Sequence, residues 1–572
     1  MSLVTQGHDL DASVDYLVSI LHKPGFSGKI QHILSNLVYY VPRLRTHRKL
    51  EQLVVAMLES AIWPVAIDGD WIILQETAEA IFSWKLEISE PVIDVAEFYE
   101  VWDRAIRNCR AWTVAKLTII AGILNTRTKF EDLQTRFFLD APSSVSRKYL
   151  DWKYKFFMPL WQQLFTVSLR NAPIEAEHLA VFMSQLFEIR DVKKISGDLL
   201  APVLLHLSLA YVKGPNASPR FVSKNLGSIA KTLEATLPNV DVGLANETLN
   251  SVCATAFDIS LREMHAPKAN YSSQTHSNQL LTVVLILRGC LLRSKTPRGW
   301  YNQAIISLFY MDFIAQDFGK AGFQSYEYIY NVSSAACTIG IAQYYCCLSV
   351  MRGNIWPSHE SNVVNTSRIL FLLNFLESSL GLVPIAPDFL DDYVVPVLSR
   401  YGASSNTSIC EAAQAAQLCL YSNNSSGKFL QVWKAAHYQD FLQQSIHQYL
   451  GGVLSSSQLV HIFAAISQDI PLLSQANPDI SREILHYTYL RILNCRDEHP
   501  EVISTLILCL IKQLSHIQSN YTTDWLENCV ELIQLCPSQK EKVLDGLWKQ
   551  ITSSRLPDDR ALNWFLNNQS KL

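Results

Sequence analysis

Glycine is scarce in this chain, at 21 of 572 residues, about half its usual frequency. Folds that lean on tight hairpins and glycine-rich nucleotide loops use more of it. No GxxxxGK[ST] occurs, which argues against a P-loop nucleotide site, and no GxGxxG follows a strand-like segment. Neither GxSxG nor HExxH is present, so common hydrolase and metalloprotease signatures are missing. The twelve cysteines show no CxxC and no Cys/His finger spacing. The fifteen histidines are dispersed; His206, His437, His447 and His461 have no partner at metal-ligand spacing and read as packed or solvated side chains. No metal, no cofactor and no catalytic residue is therefore expected, although catalytic groups can also converge only in space.

Positive charge is not in excess either. The net charge is -4, so nucleic acid is not an expected partner. The opening MSLVTQGHDLDASVDYLVSIL has acids where a secretory leader has positive charge, so the cysteines are expected to be reduced and mostly buried. Long uncharged runs are nearly absent. Tyr328 to Met351 is the best one, and it contains Asn331, Ser333, Ser334 and Gln343, all costly in lipid. It reads as a helix buried in the protein rather than a span, and peripheral membrane contact stays open.

What the chain does contain is helical periodicity. Apolar residues make up 49%. Ile503, Leu506, Ile507, Leu510, Leu514 and Ile517 share one helical face, and Val543, Leu544, Leu547, Trp548 and Ile551 repeat the pattern. Ser408 with Glu411, and Ser538 with Glu541, have capping-box spacing. Pro478 and Pro500 sit where first-turn prolines are tolerated. Ile409 to Leu420 carries Ala412, Ala413 and Ala416 on one face and pairs with the preceding DFLDDYVVPVLSRYG as a helical hairpin. Strand evidence is confined to short runs such as Trp71 to Leu74. The expected fold is all-α, an α-solenoid of degenerate HEAT/armadillo-like helical hairpins without a strict period. The polar stretch His265 to Gln279 divides it. The expected parts are a helical half over 1–264, a mobile loop over 265–279, a helical-repeat half over 280–566, and an exposed tail over 567–572.

Three internal features carry binding readings beside structural ones. Tyr149 to Phe165 packs seven aromatics into one or two helices; they form an aromatic core, or Trp152, Phe156, Phe157 and Trp161 line a groove for a partner's helical motif. Arg43, Arg45, Arg48 and Lys49, with His47, form a solvated helix end or a contact for an anionic membrane or acidic partner. Asp388, Asp391 and Asp392 suit the first turn of a helix through its dipole alone.

The sharpest motif is the tail, Ser570-Lys571-Leu572, which matches the tripeptide read by the peroxisomal import receptor. With this tail, a long all-helical chain poor in catalytic motifs resembles the peroxin eight family, yeast import factors inside the peroxisome. Ser455 to Gln475 and Ile484 to Leu493 look most like that family. No separate N-terminal address of the [RK]-[LVI]-x5-[HQ]-[LA] type is seen. The resemblance implies a non-enzymatic scaffold, peripheral on the lumenal face of the peroxisomal membrane. It would bind the targeting-signal receptor through the tail and through a separate surface. It would also link docking-complex and RING ubiquitin-ligase peroxins and aid cargo release and receptor recycling. The rival reading is a matrix enzyme of unrecognised type, imported as ordinary SKL cargo.

Overall fold

The computed structural model describes residues 2–23, 29–89, 91–137, 143–265, 273–318, 324–357, 361–496, 498–516, 521–553 and 559–568. Among them every regular element is a helix and no strand occurs. The strand-like run Trp71 to Leu74 opens the helix Trp71–Glu87. Its buried residues include Trp71, Leu74, Ala78, Ile81, Phe82 and Lys85, a helical rather than an alternating spacing. Tyr328 to Met351 is broken at Gly340 into Gln324–Ile339 and Ile341–Gly353, and no described helix is long and apolar enough to cross a membrane.

The chain divides into two compact units. The first comprises Met1–Arg262, Pro267–Trp300 and Lys320–Ile329; the second comprises Glu263–Ala266, Tyr301–Gly319 and Tyr330–Leu572. The expected loop shrinks. Residues 266–272 lie outside the described residues, and 273–279 form the opening turns of Ser273–Leu291, a helix of the first unit. Those turns are polar because they are only partly covered. Gln279, the last of the stretch, is buried, and its Nε2 donates to the Val212 carbonyl at 2.7 Å.

Within each unit one helix of each successive pair joins a continuous run. In the first, Trp71–Glu87 packs on Val114–Asn125, which packs on Pro173–Leu186, then Arg220–Thr236, then Ser273–Leu291. In the second, the run is Val363–Ser379, Thr407–Tyr421, Ser456–Ser467, Pro500–Gln513 and Lys540–Thr552. Companion helices lie against these. Met158–Asn171 packs on Pro173–Leu186, and Val395–Gly402 packs on Thr407–Tyr421, the hairpin that the alanine face suggested. Ala413 and Ala416 are fully buried there. Run helices are flanked on several sides, so their apolar residues are not confined to one stripe. In Val114–Asn125 every residue from Val114 to Leu124 is buried.

Close approach in the run depends on glycine at one crossing. A Cβ on Gly122 would lie 2.2 Å from the Gln75 carbonyl oxygen and 2.9 Å from the Ala78 Cβ. Backbone atoms cannot swing aside as a side chain can, so the two helices would have to separate. Gly122→Ala is expected to destabilise the first unit by about 3 kcal/mol, the upper end of overpacking costs. A denaturant titration followed by circular dichroism would measure it, and an unchanged midpoint would show the crossing to be looser than the structure has it.

Prolines inside two helical stretches are absorbed by π-turns. Trp152–Phe157 and Leu390–Val394 are wound as π-helix, each followed by an α-helix with Pro159 or Pro396 at its second position. A proline cannot donate to the carbonyl four residues back. For Pro396 that carbonyl belongs to Asp392, and the Arg352 guanidinium donates to it instead at 2.7 Å.

Helix starts correct two capping assignments. Thr407–Tyr421 is capped by Asn406, whose Oδ1 accepts from the Ser408 and Ile409 amides, not by a Ser408–Glu411 box. Lys540–Thr552 starts from Gln539 with no side-chain cap, after a short 3₁₀ turn that takes up Ser538. A true capping box sits at Ser455 and Gln458. Pro500 is the first residue of its helix as expected, while Pro478 lies two residues before Ile480.

Candidate functional site

The tail Ser570-Lys571-Leu572 lies outside the described residues. The helix Asp559–Asn568 carries the chain to within two residues of it and packs on Thr522–Gln534 and Lys540–Thr552.

The aromatic segment is core. Trp152 and Phe157 are wholly buried, Trp161 is 2% exposed, and only Phe156 is half-buried. Trp152 stacks on Tyr99 at 5.8 Å and meets Phe82 and Tyr149 edge-on. Its indole N–H donates to Asp103 Oδ1 at 2.8 Å. The Trp161 N–H donates to the Leu179 carbonyl at 2.8 Å, and its ring stacks on Phe165. The groove reading of Trp152, Phe157 and Trp161 is therefore corrected. These rings are buried, and both indole donors are used within the core. Phe156 leans on Trp112 and lies under the Arg107 guanidinium.

The basic segment splits. Lys49 pairs with Asp15, and His47 lies 3.6 Å from Glu97. Arg43 donates to the Tyr39 carbonyl and lies over the rings of Tyr39, at 4.5 Å, and Trp84, at 5.3 Å. Both rings are about half exposed. Arg45 and Arg48 stand exposed beside them. Asp388, Asp391 and Asp392 are all exposed near the start of their helix, as the dipole argument requires.

Sequence reading missed the buried charges, because a single charged residue in an amphipathic helix gives no local signal of burial. Lys153 is 4% exposed and Asp191 fully buried; they pair at 2.7 Å. Glu188 joins at 2.8 Å from the ammonium, and the Tyr154 hydroxyl donates to Asp191 at 3.0 Å. Burial, then the bond to Asp191, push the Tyr154 phenol up to about 12. Lys85 donates to the Ile93 carbonyl at 2.6 Å, and burial lowers its ammonium to about 8. Lys434 donates to the carbonyls of Tyr421 and Asn423 at a helix end; Asp469 stands 3.8 Å away, and burial lowers the lysine and raises the acid. Lys153 and Lys434 satisfy carbonyls that helix ends leave open, Lys153 through the Leu186 carbonyl at 2.7 Å.

Among the described residues no group of three His, Cys, Asp or Glu is placed to hold a metal ion. An apolar recess in the second unit, with a cavity volume of only about 10 Å³, is lined by Leu348, Leu376, Phe389, Tyr393 and Val397, with Arg352 already engaged by the Asp392 carbonyl. That is below the usual size of a substrate site. Of the twelve cysteines only Cys346 is exposed, and burial raises the thiols of Cys290, Cys509 and Cys529.

Residues 433–569 match the family described as PEX8 C-terminal domain. The chain is 26% identical to peroxisomal biogenesis factor 8 of Saccharomyces cerevisiae, over 97% of its own length and 98% of that protein's. It is 23% identical to peroxisomal biogenesis factor 8 of Pichia angusta, over 94% of its own length and 90% of that protein's. The resemblance to peroxin eight is thus shown: the chain is similar to peroxisomal biogenesis factor 8 along nearly its whole length, and its residues 433–569 match the model of the PEX8 C-terminal domain.

Proposed function

We propose that this chain is a peroxisomal matrix-protein import factor, acting as a scaffold and adaptor without catalysis of its own. The observation that carries the reading is the similarity, at 26% and 23% identity over nearly the whole chain, to two proteins named peroxisomal biogenesis factor 8. The runs of helices packed mainly on their neighbours support an α-solenoid of HEAT/armadillo-like hairpins, a form that offers long surfaces to peptides. In this reading Ser570, Lys571 and Leu572 bind the targeting-signal receptor, and a separate surface binds it as well. Other surfaces link the docking-complex and RING-complex peroxins, aiding cargo release and receptor recycling. The protein works on the matrix side, peripheral to the membrane. Arg45 and Arg48 touch the lumenal leaflet there, with Arg43 held between Tyr39 and Trp84 beside them, since rings and cations together suit a lipid interface. No observation favours the rival reading of a matrix enzyme.

The test is a pull-down of the purified chain lacking Ser570-Lys571-Leu572 against the disordered N-terminal half of the import receptor. Retained binding is expected. Complete loss would make the chain an SKL-dependent passenger and overturn the adaptor reading.

A further inference from the structure

The short 3₁₀ helix Ile189–Lys194, after Pro173–Leu186, turns its acids toward the protein and leaves its apolar and basic residues outside. Ile189 is 84% exposed, more than any other large apolar side chain among the described residues. Arg190, Lys193 and Lys194 are exposed on the same six-residue turn. A lone exposed isoleucine needs no explanation, but its setting does. Asp191 and the preceding Glu188 both pair with the buried Lys153, at 2.7 and 2.8 Å. Glu188 also takes Arg127 at 3.2 Å and Arg190 at 2.6 Å. Lys194 and Arg190 lie over the Tyr154 ring, at 3.8 and 5.4 Å, and the hydroxyl of that ring holds Asp191. The acids are thus engaged within the protein, and the outer side of the turn is cationic around an apolar tip.

A surface turn does not require such a foundation. Burying a charged pair costs desolvation, and apolar side chains of similar size hold a fold as well. What a hydrogen-bonded buried network adds is one fixed geometry. Fixed geometry favours binding to a structured partner, because less ordering remains to be done on contact. A fluid lipid surface gains little from it. The turn also carries neither Trp nor Tyr, the residues that anchor proteins at a lipid interface, and Tyr154 lies beneath two of its cations. Charge complementarity sets the sign of the partner. We infer that Ile189, Arg190, Lys193 and Lys194 form a docking knob for an acidic segment of a partner protein, one that offers an apolar pocket to Ile189. The inference goes beyond the import reading and does not depend on how the tail is read.

The test places photoreactive benzoylphenylalanine at position 189 of the full chain in intact cells, which keeps an apolar side chain there, and identifies the linked residues by mass spectrometry. A linked protein segment rich in Asp and Glu is expected. That segment, made as a synthetic peptide, is then titrated against the purified full chain, against Ile189→Asp, and against the double variant Lys193→Glu with Lys194→Glu. All three positions are exposed, so the denaturation midpoint is expected to hold; Lys193→Gln with Lys194→Gln serves if the charge-reversed pair lowers it. Each variant is expected to bind the peptide about tenfold more weakly. The charge-reversed chain should also lose the salt dependence of the association rate. Linkage to lipid alone, to a segment without net negative charge, or to nothing would overturn the inference. So would a peptide affinity that the variants leave unchanged.

Discussion

Replacing Trp152 with alanine is expected to cost the first unit about 3–5 kcal/mol, the usual price of deleting a fully buried indole. The ring is wholly inaccessible, stacks on Tyr99, and touches Phe82 and Tyr149. Its removal also leaves Asp103 Oδ1 without the indole donor, although Arg107 still holds Oδ2 at 2.8 Å. Phe156→Ala should cost far less, because that ring is only half-buried between Trp112 and Arg107. Chemical denaturation of the two variants separates the readings of this segment. A large loss for Trp152 and a small one for Phe156 is the signature of a core. An unchanged midpoint for Trp152→Ala, with weakened partner binding, would restore the groove.

The second large effect concerns Asp191. Its carboxylate accepts from the Lys153 ammonium, the Tyr154 hydroxyl and the Glu188 amide, at 2.7, 3.0 and 3.1 Å, with no exposure to solvent. Taking away one member of a buried ion pair leaves the other charged and poorly solvated, which costs about 3–5 kcal/mol. Asp191→Ala should reach that range. Glu188, 2.8 Å from the same ammonium, should hold the loss toward its lower end. Asp191→Asn keeps the shape and removes the charge, so a cost close to that of alanine would assign the effect to the ion pair rather than to packing. A loss under about 1 kcal/mol for both would mean that Lys153 is satisfied by Glu188 and the Leu186 carbonyl, 2.7 Å away, alone.

How much of this was readable in advance depended on the range of the interactions. The period of Ile503, Leu506, Ile507 and Leu510 is local, and all four are buried as their spacing requires. The alanine face of Thr407–Tyr421 was legible for the same reason. Trp71 to Leu74 misled because four residues are too few to distinguish a period of 2 from one of 3.6. The Ser408 and Ser538 boxes failed because capping depends on the backbone turn before the helix, and Asn406 stood nearer the true start. Residues 273–279 read as a loop because their polarity reflects partial exposure, while Gln279 is tied down by a carbonyl 67 positions earlier. The same range limit hid Lys153 and Asp191, whose meeting is tertiary.

One property of the helix runs bears on every stability measurement proposed above. Each helix in a run leans on the one before and the one after, so the gain from folding is distributed along the chain rather than pooled at one centre. Cooperativity then decays with distance. A fault at Gly122 or Trp152 should loosen its neighbours first, and amide exchange should show a graded profile within a unit instead of a single opening event. Helices toward the ends of a run, such as Lys540–Thr552, are expected to exchange sooner than those at its middle, such as Ser456–Ser467.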